Sequence, residues 1–553
     1  MNYGKTTAAV IALALCSSAF AQTTTDDKAW YQKDLQTDSL YGISLQKAYD
    51  FVKGKKSQQI IVAVIDGGID TTHEDLKSVL WHNPKEIPGN NKDDEKNGYV
   101  DDLYGWNFLG NADGKDVNKE AEEKYRVYYR FKDCFGGKSI DTNTLSKVDK
   151  YEYLAWKRAA DEIADPKKSS EDAQMAAMMT QIYAQMHPAD SVLRKAMGKP
   201  EYTLGELAQY TPSSDTVVRA KSALLYLQQM IPSFTSETTN TEIMTGMASE
   251  RDKYQKATEA REKAPEPVRQ ETVKDDYGNF KDSHYGNPDV YGGDPMHGTH
   301  VSGIIAATRN NGIGMDGIAD NVKILSVRAV PDGDEYDKDI ALAIRYAVDN
   351  GAKVINMSFG KPFSPEKYWV DSAFVYALQH DVLLVHAAGN EGENTDSTYN
   401  YPNGDLIFYP GKTASNLITV GASGDPHIGG KTEEAFAASF SNYGKATVDV
   451  FAPGVRIYST VPKGNKYAYL QGTSMASPVV AGVAALIRSY YPKLSAEQVK
   501  YAIVNSVVKP NKFTRLPGTP DTQVPFEDLS VSGGIVNAYN ALKLAATLKP
   551  EKK

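Results

Sequence analysis

Runs of apolar, β-branched residues alternate with stretches of helical spacing, and this alternation constrains the fold more than any other feature of the chain. Gln59 to Ile65 (QIIVAVI) carries no charge and ends at Asp66. Residues 322–330 (VKILSVRAV), 352–360 (AKVINMSFG), 381–390 (DVLLVHAAGN) and 416–422 (NLITVGA) repeat that texture. Between them, residues 340–351 (IALAIRYAVDNG) and 371–381 (DSAFVYALQHD) have helical spacing. A strand that is apolar throughout must be covered on both faces. The expected fold class is therefore α/β: a three-layer, doubly wound, mostly parallel sheet with helices on either side.

From about Asn111 to Asp282 the texture changes. Residues 151–164, 170–186 and 216–230 have helical periodicity and few strand signals, punctuated by Pro166, Pro188, Pro200, Pro212 and Pro232. No internal repeat is evident. The expected organisation is a main domain at 58–112 and 283–545, interrupted by a mostly α-helical insertion at 113–282. Asn97–Asp102 and Asp275–Asn279 look like the feet of that excursion. Residues 22–57 form a leader that reads as a turn and a helix, 546–553 a tail, and the last helix falls within 533–548.

The N-terminus has a positive Lys5 and an apolar stretch from Ala8 to Phe20, too short to span a membrane. Ala19-Phe20-Ala21 fits a small-x-small cleavage signal, so 1–21 reads as a signal peptide cut between Ala21 and Gln22, giving a secreted or periplasmic protein. The alternative is lipid anchoring through Cys16, which the bulky Leu15 before it disfavours. Nothing else approaches the ~18 apolar residues of a membrane helix. Without Cys16, Cys134 stands alone, with no disulfide partner, and reads as a small, partly buried residue. The 61 basic and 70 acidic residues leave a formal charge of −9, which argues against a nucleic-acid partner.

Three segments carry chemistry. Asp66 closes the first apolar run, at the sheet edge where ligands gather in open parallel sheets. His297 and His300 lie in MHGTHVSGIIAA. Ser474 lies in QGTSMASPVVAGVAAL, at a helix start, with Pro478 four residues on. Ser caps helices and Pro is tolerated in a first turn, so a bland reading exists. The sharper one is a nucleophile beside N–H groups that meet an anion. Serine needs a base such as imidazole, and imidazole needs a carboxylate to fix its tautomer. Each residue alone is weak: a strand-end Asp makes turns, and the histidines could cap a Gly-Thr turn. A metal pair in H-x-x-H lacks the H-E-x-x-H pattern or a cysteine cluster. Gly67-Gly68 after a strand lacks the spacing of a dinucleotide loop.

Taken together, VIDGGID, HGTHVSGIIAA and GTSMASPVVAGVAAL resemble the three signatures of subtilisin-like serine peptidases, in that family's order. HAAGNEG, NMSFG, SFSNYG and VFAPG extend the resemblance, which covers roughly 58–112 and 283–510. It implies a secreted serine endopeptidase acting on peptides or proteins through Asp66, His297 and Ser474, with Asn390 binding the oxyanion and His300 structural. It further implies a substrate edge at Ser358, Phe359 and Gly360 and a pocket wall at Ala387, Ala388 and Gly389. The pocket floor falls at Phe408, before Tyr409-Pro410, or in a competing register before Tyr401-Pro402. No organic cofactor is implied. A calcium loop at 309–319 would draw on Asp75, on the side-chain oxygen of Asn311 and on carbonyls near Ile313 and Met315; a Gly-Asn-rich turn without an ion is the competing reading. Asp66 and His297 are 231 residues apart, so the insertion must leave and return at one place. It is expected to overhang and gate the cleft or to bind a partner, or to be a lateral decoration. The 22–57 leader is shorter than a folded chaperone propeptide and is expected to pack on the core. A catalytically silent protein that uses the fold for binding is the alternative function.

Overall fold

The computed structural model describes residues 28–230, 236, 238–427 and 436–551. Residues 1–21, read above as a signal peptide, and Cys16 among them lie outside these residues. Seven strands form one sheet: β1 (Ile60–Asp66), β2 (Gly105–Asn107), β3 (Val322–Arg328), β4 (Val354–Met357), β5 (Leu383–Ala387), β6 (Leu417–Ser423) and β7 (Val450–Pro453). Their order is β2-β3-β1-β4-β5-β6-β7, and every pairing is parallel. In β1, Ile60 pairs with Val322 and Asp66 with Arg328, so the acid stands at the C-terminal edge.

Two short helices, α1 (Leu35–Asp38) and α2 (Leu45–Val52), precede the sheet. Between β2 and the helix bearing His297 run α3 (Glu123–Phe135), α4 (Lys147–Ala164), α5 (Pro166–Met197), α6 (Leu204–Gln209), α7 (Asp215–Met230), α8 (Asn240–Ala260) and α9 (Val268–Val273). Then come α10 (Met296–Ala306), α11 (Asp337–Asp349) after β3, and α12 (Lys367–Gln379) after β4. An antiparallel hairpin of β8 (Ile457–Val461) and β9 (Lys466–Leu470) leads into α13 (Thr473–Tyr490). The chain closes with α14 (Ala496–Val504), a small hairpin of β10 (Phe513–Arg515) and β11 (Gln523–Pro525), and α15 (Ala538–Ala545).

Side chains alternate across a strand, and this splits the core in two. Val62 and Val64 face α10, α13 and α15, in one cluster with Val301, Val480 and Leu542. Ala63 and Ile65 face α11 and α12, in a second cluster with Ile344 and Phe374. The result is a three-layer α/β architecture wound on both faces. The leader belongs to the first layer, where Trp30, Ile43, Leu45 and Val52 are buried in that same cluster. Helices α5 to α8 enclose a separate core around Leu193, Leu204, Leu224 and Ile243.

Cys134 departs from expectation, because it is exposed. It sits in the last turn of α3, beyond the contact made by the buried Phe131. Among the described residues, no helix is long and apolar enough to cross a membrane.

Candidate active site

The parallel register delivers Asp66 to the end of β1, where its carboxylate is buried and accepts the Gly67 N–H at 2.8 Å. His297 is the second residue of α10, and its Nδ1 lies 2.9 Å from both Asp66 oxygens. Glycine makes this approach possible. A Cβ on Gly298 would sit 2.2 Å from the Gly68 carbonyl oxygen and 3.1 Å from the Asp66 Cβ. With Nδ1–H committed to the carboxylate, Nε2 is the acceptor nitrogen. Desolvation pulls the imidazole pKa down, but the charge and hydrogen bond of Asp66, with Asp294 adding, outweigh it and raise the pKa above 6.5. The ring stays 40% exposed, open to a reacting partner.

Ser474 is the second residue of α13. Its Oγ donates to the Ser358 carbonyl oxygen at 3.1 Å, and no hydrogen bond joins it to His297. Pro478 is the sixth residue of α13, past the first turn, and its lack of an N–H has a local consequence. The Ser474 carbonyl has no helical donor four residues on, and it accepts the Ser358 hydroxyl instead at 2.9 Å. Asn356 bridges Ser358 Oγ and Ser477 Oγ, each at 2.9 Å, and fixes the start of α13 to the end of β4.

Asn390, beyond β5, has its carboxamide oriented by α13. Its Oδ1 accepts the Thr473 N–H at 2.9 Å and the Thr473 hydroxyl at 3.1 Å. Its Nδ2 and the Ser474 N–H have no acceptor among the described residues. Gly472, at φ 148°, lies beside both: a Cβ there would sit 3.6 Å from the Ser474 nitrogen, 3.6 Å from Asn390 Oδ1 and 3.7 Å from Asn390 Nδ2. Two donors without acceptors thus lie close together at a helix N-terminus, groups of the kind an oxyanion needs.

Ser358, Phe359 and Gly360 follow β4, and Ala387 ends β5 with Ala388 and Gly389 just beyond it. Asn400 lies between the two segments. Its Nδ2 donates to the Ala388 carbonyl at 2.7 Å, and its Oδ1 is 2.5 Å from where a Gly360 Cβ would be. The residue before Tyr401-Pro402 is therefore in contact with both segments. The Phe408 backbone N–H bonds Asp371, and its ring packs on Tyr151 and Tyr368. The length of the loop after Asn390 is what made the register ambiguous in the sequence.

The sequence reading gave no role to Asn442, although SFSNYG was noted. It is buried and braces the Asn390 loop, donating to Ala388 O at 2.9 Å and accepting the Glu393 N–H at 2.8 Å. His386 was also missed, since a lone histidine within an apolar strand carries no sequence signal. Its Nε2–H holds the Phe359 carbonyl at 2.8 Å, and burial depresses its pKa to about 4. His300 is buried, with Nε2 against the carbonyls of Ile457 and Ala468 at 3.0 and 3.1 Å, and burial lowers its pKa to about 3.

Helices α3 and α4 stand against the same loops. Glu123 pairs with the buried Lys361 at 2.8 Å, Tyr151 bonds the Tyr401 hydroxyl at 3.2 Å, and Arg158 bonds the Pro362 carbonyl. On the other hand, Glu201, between α5 and α6, meets Lys466 of β9 at 3.3 Å. The helical segment therefore touches both the pocket loops and the hairpin that leads to Ser474.

Asp75 and Asn311 are brought together, but the amide nitrogen of Asn311, not its oxygen, faces Asp75 Oδ1 at 2.6 Å. Its oxygen accepts the Ile313 N–H, and the Met315 N–H points at Asp75 Oδ2 where carbonyls were expected. The carboxylate is fully buried and its partners, including the Tyr467 hydroxyl, are all neutral. A buried carboxylate with no cationic partner suits a hard cation, but the groups that face it here are N–H and O–H donors, so the Asn311 amide would have to turn its oxygen inward to join the ligand set.

The chain matches the subtilase family, peptidase S8, over residues 57–527. It is 46% identical over 201 residues to a thermophilic serine proteinase of Bacillus sp. (strain AK1), covering 35% of this chain and 44% of that protein. It is 42% identical over 207 residues to Subtilisin DY of Bacillus licheniformis, covering 37% of this chain and 67% of that protein. A solved structure of a mutant of the protease domain of PatA aligns at TM-score 0.36 and 27% identity, covering 46% of this chain and 82% of that chain. The chain thus spans less than half the length of the thermophilic proteinase.

Proposed function

The chain belongs to the subtilase family, and on that premise we propose that it is a serine endopeptidase that cuts peptide bonds through an acyl-enzyme. The Asp66–His297 contact beside the unpaired donors at the start of α13 carries the proposal. Ser474 Oγ turns from the Ser358 carbonyl toward His297 Nε2 and attacks the substrate carbonyl carbon. Its proton passes to Nε2, and Asp66 stabilises the imidazolium. The carbonyl oxygen becomes an oxyanion that accepts from Asn390 Nδ2 and the Ser474 N–H. Collapse breaks the C–N bond, and the amine leaves with the proton from His297. Water then repeats the sequence: His297 takes its proton, the hydroxyl adds to the acyl carbon, and Ser474 leaves reprotonated.

The substrate backbone lies along Ser358–Gly360, and its side chain before the cut enters between that edge and Ala387–Gly389. Asn400 narrows this pocket, which favours small or short polar side chains there. The helical segment braces the pocket through Glu123–Lys361 and Tyr151–Tyr401, and its contact with Lys466 supports a limit on access to extended chains. Asp75 and Asn311 would hold calcium, whose charge would neutralise the buried acid and stiffen the 309–319 loop. The apolar N-terminus supports export, with cleavage after Ala21 or anchoring at Cys16 as the two outcomes an N-terminal mass measurement separates.

A fluorophosphonate tests the reaction class. Stable mass addition at Ser474, absent in Ser474→Ala, together with cleavage of denatured casein, is expected. No label and no cleavage by the exported, folded protein would overturn it in favour of a silent binding protein.

A further inference from the structure

At the edge of the sheet opposite Asp66, three carboxylates gather. Glu86, Glu95 and Asp102, from the loop before β2, bring one oxygen each within 4.8 Å of the others. Glu86 is 7% exposed and Asp102 is fully buried. The carboxyl groups of Glu86 and Glu95 face one another, and in each the Oε2 atom is sealed from solvent without a partner. A side chain more than nine-tenths buried thus directs an unsatisfied oxygen at two further acids.

Every hydrogen-bond donor to the cluster is neutral. Asn83 Nδ2 reaches Glu95 Oε1 at 2.7 Å and Asp102 Oδ1 at 2.6 Å. The Tyr346 hydroxyl donates to Asp102 Oδ2 at 2.6 Å, and the Asp94 N–H to Glu86 Oε1 at 3.1 Å. No Lys or Arg pairs with the three acids among the described residues. Burial, and then the neighbouring carboxylates, push the Glu86 and Asp102 carboxyl groups above their ordinary range. Like charges crowded in a largely buried site are neutralised by protons or by a cation.

We propose that Glu86, Glu95 and Asp102 form a binding site for a hard divalent cation, calcium by preference. The donor set is all oxygen, which excludes a soft-metal preference. It comes from an irregular loop, which suits the flexible coordination of calcium better than the strict octahedron of magnesium. Through Asp102 and Tyr346 the ion ties the loop before β2 to α11. The site is remote from Ser474, so its occupancy governs stability and not the chemical step.

The test uses the full chain carrying Ser474→Ala, which prevents self-cleavage, stripped with EDTA and titrated with calcium chloride by calorimetry and thermal unfolding. The expected result is one equivalent of calcium that disappears in Glu86→Gln/Glu95→Gln and persists in Asp75→Asn, with a calcium-dependent rise in Tm that follows the same pattern. Equal stoichiometry in the parent and the double variant overturns the proposal. So does a parent that takes up no calcium while the double variant is more stable near neutral pH, which would mean a shared proton. If the double variant does not fold, Glu95→Gln in the Asp75→Asn background is read by terbium luminescence excited through tyrosine. Loss of emission supports the site, and undiminished emission overturns it.

Discussion

Asn390 uses the two halves of its carboxamide for different purposes, and substitution can separate them. The oxygen caps α13 with bonds of 2.9 and 3.1 Å to Thr473, while the nitrogen has no acceptor among the described residues and lies near the Ser474 N–H. Asn390→Asp keeps the acceptor and adds a negative charge at a helix N-terminus, which stabilises by about 0.3–1 kcal/mol. It removes the donor and places charge where the oxyanion forms. Loss of one such donor lowers kcat about 10²–10³-fold, or about 2.7–4 kcal/mol, and repulsion deepens the loss. Asn390→Ala removes both functions, so it shows a similar fall in kcat together with about 1 kcal/mol less stability from the missing cap. Steady-state hydrolysis of a peptide anilide gives kcat and KM, and urea unfolding in the Ser474→Ala background gives stability. The expected pattern is a loss in kcat with little change in KM for both variants, and a loss of stability for Ala alone. If Asn390→Asp retains kcat within about threefold, the amide nitrogen does not meet the transition state and the reasoning fails.

Asp66→Asn is expected to lower kcat about 10⁴-fold. In the intact chain the acid limb of kcat/KM has its midpoint above 6.5, because the base must be neutral and Asp66 raises its pKa. The same pair stabilises the fold fully below about 6.5 and loses that contribution as pH rises through the raised value; a midpoint below 6.5 contradicts both statements. His300 and His386 act in the opposite sense, with folded values of about 3 and about 4 against 6.5. Their contribution is complete above 6.5 and falls as pH drops toward the folded values, by about 1.4 kcal/mol per pH unit for each. His300→Gln should flatten the acid slope of urea stability, and an unchanged slope refutes the assignment. Gly298→Ala forces a methyl to within 2.2 Å of the Gly68 carbonyl; a cost of about 1–3 kcal/mol and a severed Asp66–His297 contact are expected, so wild-type activity would count against the close approach. Asn400→Gly should raise kcat/KM for a phenylalanine before the scissile bond relative to alanine, and an unchanged ratio would remove Asn400 from the pocket.

The sequence by itself determined the architecture and the chemical types. Unbroken apolar runs such as 59–65 can be buried only between two helical layers, and local signatures such as GTSMASP carry their residue identities with them, because periodicity and short motifs are local properties of a chain. Tertiary structure decided everything that depends on which distant segments meet. It set Asn400 against Ala388 and Phe408 against Asp371, since a long loop leaves register open until its ends are fixed. It turned the Asn311 amide nitrogen toward Asp75, set Asn442 beneath the Asn390 loop, and gathered three acids of one polar loop, with Asp102 buried against Tyr346. Hydrogen-bond direction and burial are set by neighbours in space, and in this chain the decisive ones lie up to hundreds of residues away.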